Sequence, residues 1–316
     1  MTELLTFGET MLRLSAPVGE RLARTETLGV RVGGAESNVA VAAANLGIDA
    51  AWLSALPESA LGDRIVHALR GEGVEPVVTR TRTGRVGTYY LEPGRRPRSA
   101  TVQYDREGTP IREVELEDLR TEPIHDADAV HTTGITPALS DRAAATTADL
   151  LEAAGTGTLR SFDLNYRAKL WSTDEARATL TDLFPAVDTL FLAQRDARSV
   201  LGRSGEPEAV ARGLADRHDF ETVVLTRGEN GALAVHGDSC HERSPPEVET
   251  VDPVGSGDAL VGGYLARRLQ GGSVSAALEY GVATAGLART VTGDAAVVSP
   301  AEVDAVLADE GSGIDR

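Results

Sequence analysis

Short apolar segments alternate with longer amphipathic ones along most of this 316-residue chain, and that rhythm leaves few folds open. Residues 4–8 read as a buried strand, and residues 36–46, with Ala-rich apolar spacing and Gly47 behind them, read as a helix closed by a glycine cap. The same alternation recurs as strands at 51–55, 129–133 and 158–163, followed by helices at 59–71, 141–154 and 174–184. Strands at 189–192 and 222–226 and a helix opening at Gly255 extend it. Repeated strand-helix units predict an α/β fold, a doubly wound and mainly parallel sheet with helices on both faces.

Two stretches break the rhythm, residues 11–32 and 77–106. In the second, 86–92 and 101–106 look like strands joined by the polar, proline-bearing 93–99, which predicts a small β-sheet set apart from the core. No repeat, low-complexity linker or heptad pattern is visible, and 309–316 reads as a frayed tail. The expectation is one domain over 1–316, with a lid built from about 11–32 and 77–106.

Charge narrows the function classes. The net charge is −17 and Lys169 is the only lysine, so nearly every cation is an arginine. Such a surface does not suit nucleic acid or an anionic membrane. It resembles instead the acidic, lysine-poor composition of proteins from extreme halophiles, where salt screens carboxylate repulsion. A single cysteine, Cys240, excludes an internal disulfide framework and a Cys-rich zinc site. The apolar stretch 4–7 is interrupted by Gly8 and Glu9 and lacks the form of a cationic leader, and no later run is long enough for a membrane span, so a cytoplasmic protein is expected.

The densest chemical signal is Asp252-Pro253-Val254-Gly255-Ser256-Gly257-Asp258, followed by an apolar helical pattern over 259–269. Glycines let successive backbone N–H groups converge, and at a helix start those donors and the macrodipole form an anion hole. A carboxylate at Asp258 would oppose a phosphate there unless it had a task. Accepting the proton of a hydroxyl that attacks a γ-phosphate is such a task.

This string resembles the C-terminal signature of ribokinase-type (PfkB) carbohydrate kinases, and Gly33-Gly34, then Asn38, then 42–47 resembles the family's N-terminal signature, where the glycine pair lets a sugar approach the backbone. The resemblance runs from Gly8-Glu9 to Asp294 and implies a core α/β domain with a β-sheet lid. Within the family the chain is most similar to archaeal-type 2-keto-3-deoxygluconate kinases, through the strings 104–108 (YDREG), 131–136 (HTTGIT) and 163–171 (DLNYRAKLW). The resemblance implies ATP and Mg²⁺ as cofactors, catalysis by Asp258 with the backbone of Gly255, Ser256 and Gly257, and sugar contacts from Gly34, Tyr89, Tyr104, Arg106, Arg167, Asp258 and Asp294. Forked arginines suit a carboxylate and its neighbouring hydroxyls. Of the adjacent Tyr89 and Tyr90 only one can face the ligand, and Tyr89 is the choice. Asp105 stands where the family typically has a second tyrosine, and either a nearby arginine neutralises it or it points outward. His131, at a strand end, reads as a packed structural residue.

For the nucleotide, 225–231 (LTRGENG) resembles the family segment that approaches ATP, implying Thr226, Arg227, Gly228 and Gly231 with Gly255, Ser256 and Gly257. The stretch 193–196 departs from the family's Asn-x-x-Glu, so the metal is expected mainly on ATP phosphates and water, with Asp252 or Asp196 as outer partners. A later helix, 273–290, is expected to enclose the adenine by packing. The implied reaction is phosphorylation of 2-keto-3-deoxygluconate, or its galactonate epimer, at the 6-position, in sugar-acid breakdown of the Entner-Doudoroff type. A kinase for a neutral furanose such as fructose, ribose or a nucleoside, and a silent sugar- or nucleotide-binding sensor on the same fold, are the alternatives. Exposed lid strands predict a homo-oligomer.

Overall fold

The computed structural model describes residues 2–94 and 97–311. The chain opens with β1 (Leu4–Phe7), β2 (Met11–Ser15) and β3 (Gly29–Gly33), then α1 (Ala35–Asn45), β4 (Ala50–Pro57), α2 (Ala60–Gly71) and β5 (Glu75–Thr81). After β6 (Thr88–Glu92), β7 (Thr101–Asp105) and the short α3 (Glu122–Asp126), strand and helix alternate as β8 (Ala129–Thr133), α4 (Asp141–Ala153), β9 (Leu159–Asp163), α5 (Thr173–Leu183), β10 (Thr189–Ala193) and α6 (Gln194–Ser199). The remainder is α7 (Pro207–His218), β11 (Thr222–Thr226), β12 (Ala232–His236), β13 (Ser239–Arg243), α8 (Ser256–Leu269), α9 (Val274–Ala288) and α10 (Pro300–Gly311).

Nine strands form one sheet in the order β13-β12-β11-β10-β9-β8-β1-β4-β5. All its neighbours are parallel except β11-β12 and β12-β13. Side-chain alternation explains why both faces are covered. Leu4, Trp52, Phe191 and Val224 join the core against α1, α2, α8, α9 and α10, whereas Leu5, Leu53, Leu190 and Val223 face the other way, toward α3 to α7. A strand buried on both faces must be almost wholly apolar, as β4 is, with every residue buried and its one polar side chain, Ser54, donating to the Gly8 carbonyl at 2.8 Å.

A second sheet, ordered β3-β2-β6-β7, stands apart from the first. Its start differs from the boundary expected at residue 77. Glu75–Thr81 continues the large sheet beside β4, because Val77 packs in the core with Leu53, and the small sheet's second half begins only at Thr88. The expected tail also shortens: α10 runs to Gly311, and residues 312–316 lie outside the described residues.

The strand order reverses at β1, which lies between β8 and β4. In open α/β sheets ligands collect outside the carboxyl ends of the strands near such a switch point. The segments after β1, β9, β10 and β11 duly supply Glu9, Asn165, Arg195 and Arg227 to the walls of two adjoining cavities.

Candidate active site

The larger cavity, about 820 Å³, lies between the segments after β10 and β11, the start of α8 and the side of α9. Thr226, Arg227, Gly228 and Gly231 line it together with Ser256 and Gly257. Val282, Ala285 and Gly286, on α9, make its apolar wall. The smaller cavity, about 480 Å³, lies under the small sheet. Ala193, Thr226, Pro253, Ser256 and Gly257 border both, so the two form one continuous groove that meets at the start of α8.

That meeting point is an anion site by construction. Gly255 caps α8 with a φ of 79°, in the left-handed region that favours glycine, and a Cβ there would overlap the Asp294 carbonyl oxygen. The first bond inside the helix runs from the Ala259 N–H to the Gly255 carbonyl at 2.9 Å. The N–H groups of Ser256, Gly257 and Asp258 therefore have no partner within the helix and are available to an outside acceptor, with the macrodipole adding to the attraction.

Asp258 sits on the first turn of α8 and lines the smaller cavity. Burial pushes its carboxyl up to about 6, while a hydrogen bond from Asn38 Nδ2–H at 2.7 Å and the charge of Arg167 hold it from rising further. Near neutrality it is therefore mostly ionised and able to take a proton. Asp163, at the end of β9, is pushed up to about 7, first by burial and then by the Asp258 charge, with Arg167 opposing. Arg167 reaches this pair from a loop that turns at Asn165, whose φ of 40° is positive and whose N–H bonds Asp163 Oδ1 at 3.2 Å.

Gly34, Tyr89, Tyr104 and Arg106 all line the smaller cavity, as do Arg167 and Asp294. Tyr89, not Tyr90, faces inward, with its hydroxyl on Asp294. Asp105 points outward and is paired with Arg85, which removes its charge from the cavity. The lone lysine, Lys169, donates to the Val102 carbonyl on β7 and lies 6.0 Å from the centre of the Tyr104 ring.

The sequence matches the model of the pfkB family carbohydrate kinases over residues 1–301. The chain belongs to the pfkB family of carbohydrate kinases. It is 52% identical, over 99% of both chains, to the 2-dehydro-3-deoxygalactonokinase of Haloferax volcanii. It is 32% identical to the 2-dehydro-3-deoxygluconokinase of Thermoproteus tenax, over 97% of this chain and 94% of the relative. The crystal structure of the 2-dehydro-3-deoxygluconokinase of Thermotoga maritima superposes with a TM-score of 0.91 at 34% identity, covering 97% of this chain and 98% of that one.

Two residues expected at the ligands are engaged by partners within the protein. Asp252 was expected near the metal, but it lines neither cavity: one carboxylate oxygen accepts from Arg13 at 3.0 Å and the other from the Val254 N–H at 3.1 Å. Arg227 lines the larger cavity, yet its guanidinium is held by Glu242 and by the Asn230 carbonyl, so its cation is largely spent within the protein. The glycine pair serves the protein's own packing. A Cβ on Gly33 would overlap the Asp294 carboxylate, and one on Gly34 the Glu9 carbonyl.

Several family-site residues were not singled out for chemistry from the sequence. Glu9 is 4% exposed, lines the smaller cavity and pairs with Arg106, with its Oε1 left without a partner. Glu36, on the first turn of α1, accepts from Thr133 and Thr136 through Oε1 and is pushed up to about 7 by burial. Arg13 lies in an otherwise apolar strand, and a lone arginine among Met11, Leu12 and Leu14 was the available signal that it meets a carboxylate. His131 is structural as expected: fully buried, bonded to Ser161 Oγ at 2.9 Å, and pushed down to about 3 by burial, so neutral.

Proposed function

We propose that this protein transfers the γ-phosphoryl group of MgATP to the primary hydroxyl of a 2-keto-3-deoxy sugar acid of the gluconate or galactonate configuration. The observation that carries this reading is the position of Asp258, on the smaller cavity and directly after Ser256 and Gly257, which border both cavities at the free N–H groups of α8. The larger cavity suits a nucleotide, with apolar α9 against the base and the α8 turn toward the phosphates. The smaller cavity suits a compact polyol with a negative end, because Arg167 lines it with no ion-pair partner among the described residues, beside an Arg106 already paired with Glu9. The names of the relatives support the sugar acid.

In the reaction the hydroxyl oxygen forms its bond to the γ-phosphorus as the bond from phosphorus to the β,γ-bridging oxygen breaks. The hydroxyl proton passes to Asp258, and the N–H groups of Ser256, Gly257 and Asp258 meet the charge on the transferring phosphoryl oxygens. The small sheet acts as a lid, placing Tyr89 and Tyr104 over the sugar and keeping water from the phosphate. Asp196, buried on α6 and lining the smaller cavity, would hold Mg²⁺ through water. Magnesium so placed would neutralise phosphate charge.

Location and assembly are part of the same proposal. Among the described residues no helix is long and apolar enough to cross a membrane, which supports a cytoplasmic enzyme. The outer strands of the small sheet, β3 and β7, support a homo-oligomer formed through that sheet.

A coupled ADP-release assay with MgATP tests the reaction. Turnover is expected on 2-keto-3-deoxygluconate or its galactonate epimer, and not on fructose, ribose or nucleosides. Efficient turnover of a neutral sugar without sugar-acid activity overturns the substrate, and no turnover of any of them overturns the kinase reading in favour of a sensor.

A further inference from the structure

Arg13 is 3% exposed, and each of its three guanidinium nitrogens donates a hydrogen bond. Nε donates to Ser15 Oγ at 2.8 Å, one terminal nitrogen donates to Asp252 at 3.0 Å, and the other donates to Asp294. It belongs to β2, where its register partner on β6 is Tyr89, and Tyr89 donates to the second oxygen of the same Asp294 carboxylate. Two neighbouring residues of the small sheet thus grip one acidic group of the core.

Both carboxylates held by Arg13 shape the anion-binding turn. Asp252 fixes Val254 through its backbone N–H, and the Asp294 carbonyl is pressed against the α-carbon of Gly255. Without the guanidinium, two buried carboxylates would lose the cation that pairs them, leaving only the charge of Arg31 acting on Asp294, an arrangement a protein interior opposes. A water molecule or the nearby Ser15 hydroxyl cannot supply that charge.

We propose that Arg13 is a positioning residue that ties the small sheet to the anion-binding turn, so that the turn holds its shape only while the sheet is seated over the sugar cavity. Arg13 lines neither cavity. Its effect runs through Asp252 to Val254 and through Asp294 to Gly255, and sugar contact at Tyr89 steadies the same grip. Phosphoryl transfer is thereby linked to occupancy of the sugar cavity. The inference rests on reading the groove as a kinase site, but its first test needs no substrate.

Backbone hydrogen exchange over residues 252–259 in the ligand-free protein should quicken by on the order of 10-fold or more in Arg13→Met, with segments in β10 and β11 unchanged. Arg13→Lys, which keeps a cation but can reach only one carboxylate at a time, should give an intermediate rate and remain folded if Arg13→Met does not. Unchanged exchange over 252–259 in a folded Arg13→Met, or an Arg13→Lys protein indistinguishable from wild type, overturns the proposal. In the ADP-release assay the accelerated variants should lose on the order of 10- to 100-fold in kcat, with a smaller change in the KM for MgATP. Loss confined to KM would place Arg13 in binding instead. If no sugar is turned over by wild type, the kinase reading fails while the exchange result still judges Arg13.

Discussion

Replacing Asn38 by alanine should move the acid limb of the pH-rate profile without disabling the enzyme at high pH. The Asn38 amide donates one hydrogen bond, 2.7 Å long, to Asp258 Oδ2, and that bond favours the ionised carboxylate against the burial that pushes it up to about 6. A hydrogen bond to a charged acceptor is worth about 1.5 to 3 kcal/mol, and about 1.4 kcal/mol corresponds to a tenfold change in proton affinity. Removing it should carry the Asp258 limb from near 6 to about 7 to 8. The sign follows from the base's role: activity is present above the limb and lost as pH falls through it. At pH 7 the ionised fraction would drop from about nine-tenths to between about a half and a tenth, so turnover should fall roughly 2- to 10-fold there and recover near pH 9. The assay is kcat and kcat/KM for the sugar, measured from about pH 5 to 9 with MgATP saturating. A loss of rate that is equal at every pH would refute the reasoning, because Asn38 would then only support the fold. So would a wild-type profile with no acid limb.

The remaining expectations are direct. Asp258→Asn should keep the fold and nucleotide binding while lowering kcat by roughly 100-fold or more, checked in single-turnover and nucleotide-binding measurements. Arg167→Ala should raise the KM for a sugar acid by about 10- to 100-fold, far more than that for MgATP, and Arg167→Lys should rescue only part of it. Glu36, pushed up to about 7 in the folded protein, favours folding less and less as pH rises from its ordinary value through 7, so Glu36→Gln should add about 1 to 3 kcal/mol above pH 7 and almost nothing at pH 4 to 5, read by denaturant unfolding. With a net charge of −17, activity and unfolding midpoint should both rise from dilute buffer to molar KCl, and full activity at low salt with no gain would show that the acidity has no such role.

What the sequence determined was local and periodic. Alternating apolar strands and helices prescribe a parallel sheet covered on both sides, since each strand must bury both faces and each helix one. The string from Asp252 to Asp258 carries its own geometry: the glycines, the helix that follows and the orphan N–H groups all lie within a few residues, so an anion site with a carboxylate beside it can be read without any tertiary contact. What only the tertiary structure decided was pairing across long separations. Arg13 meets Asp294, Asn38 meets Asp258 and Glu9 meets Arg106 because the small sheet and two helices converge on one groove, and no spacing in the chain encodes those distances. The same cause paired Asp252 with Arg13, engaged Arg227 with Glu242, and gave residues 77–81 to the large sheet. A side chain's chemistry is written in its residue type, but whether its charge is free for a ligand depends on which opposite charge the fold brings within reach, and burial then sets how strongly that choice is enforced.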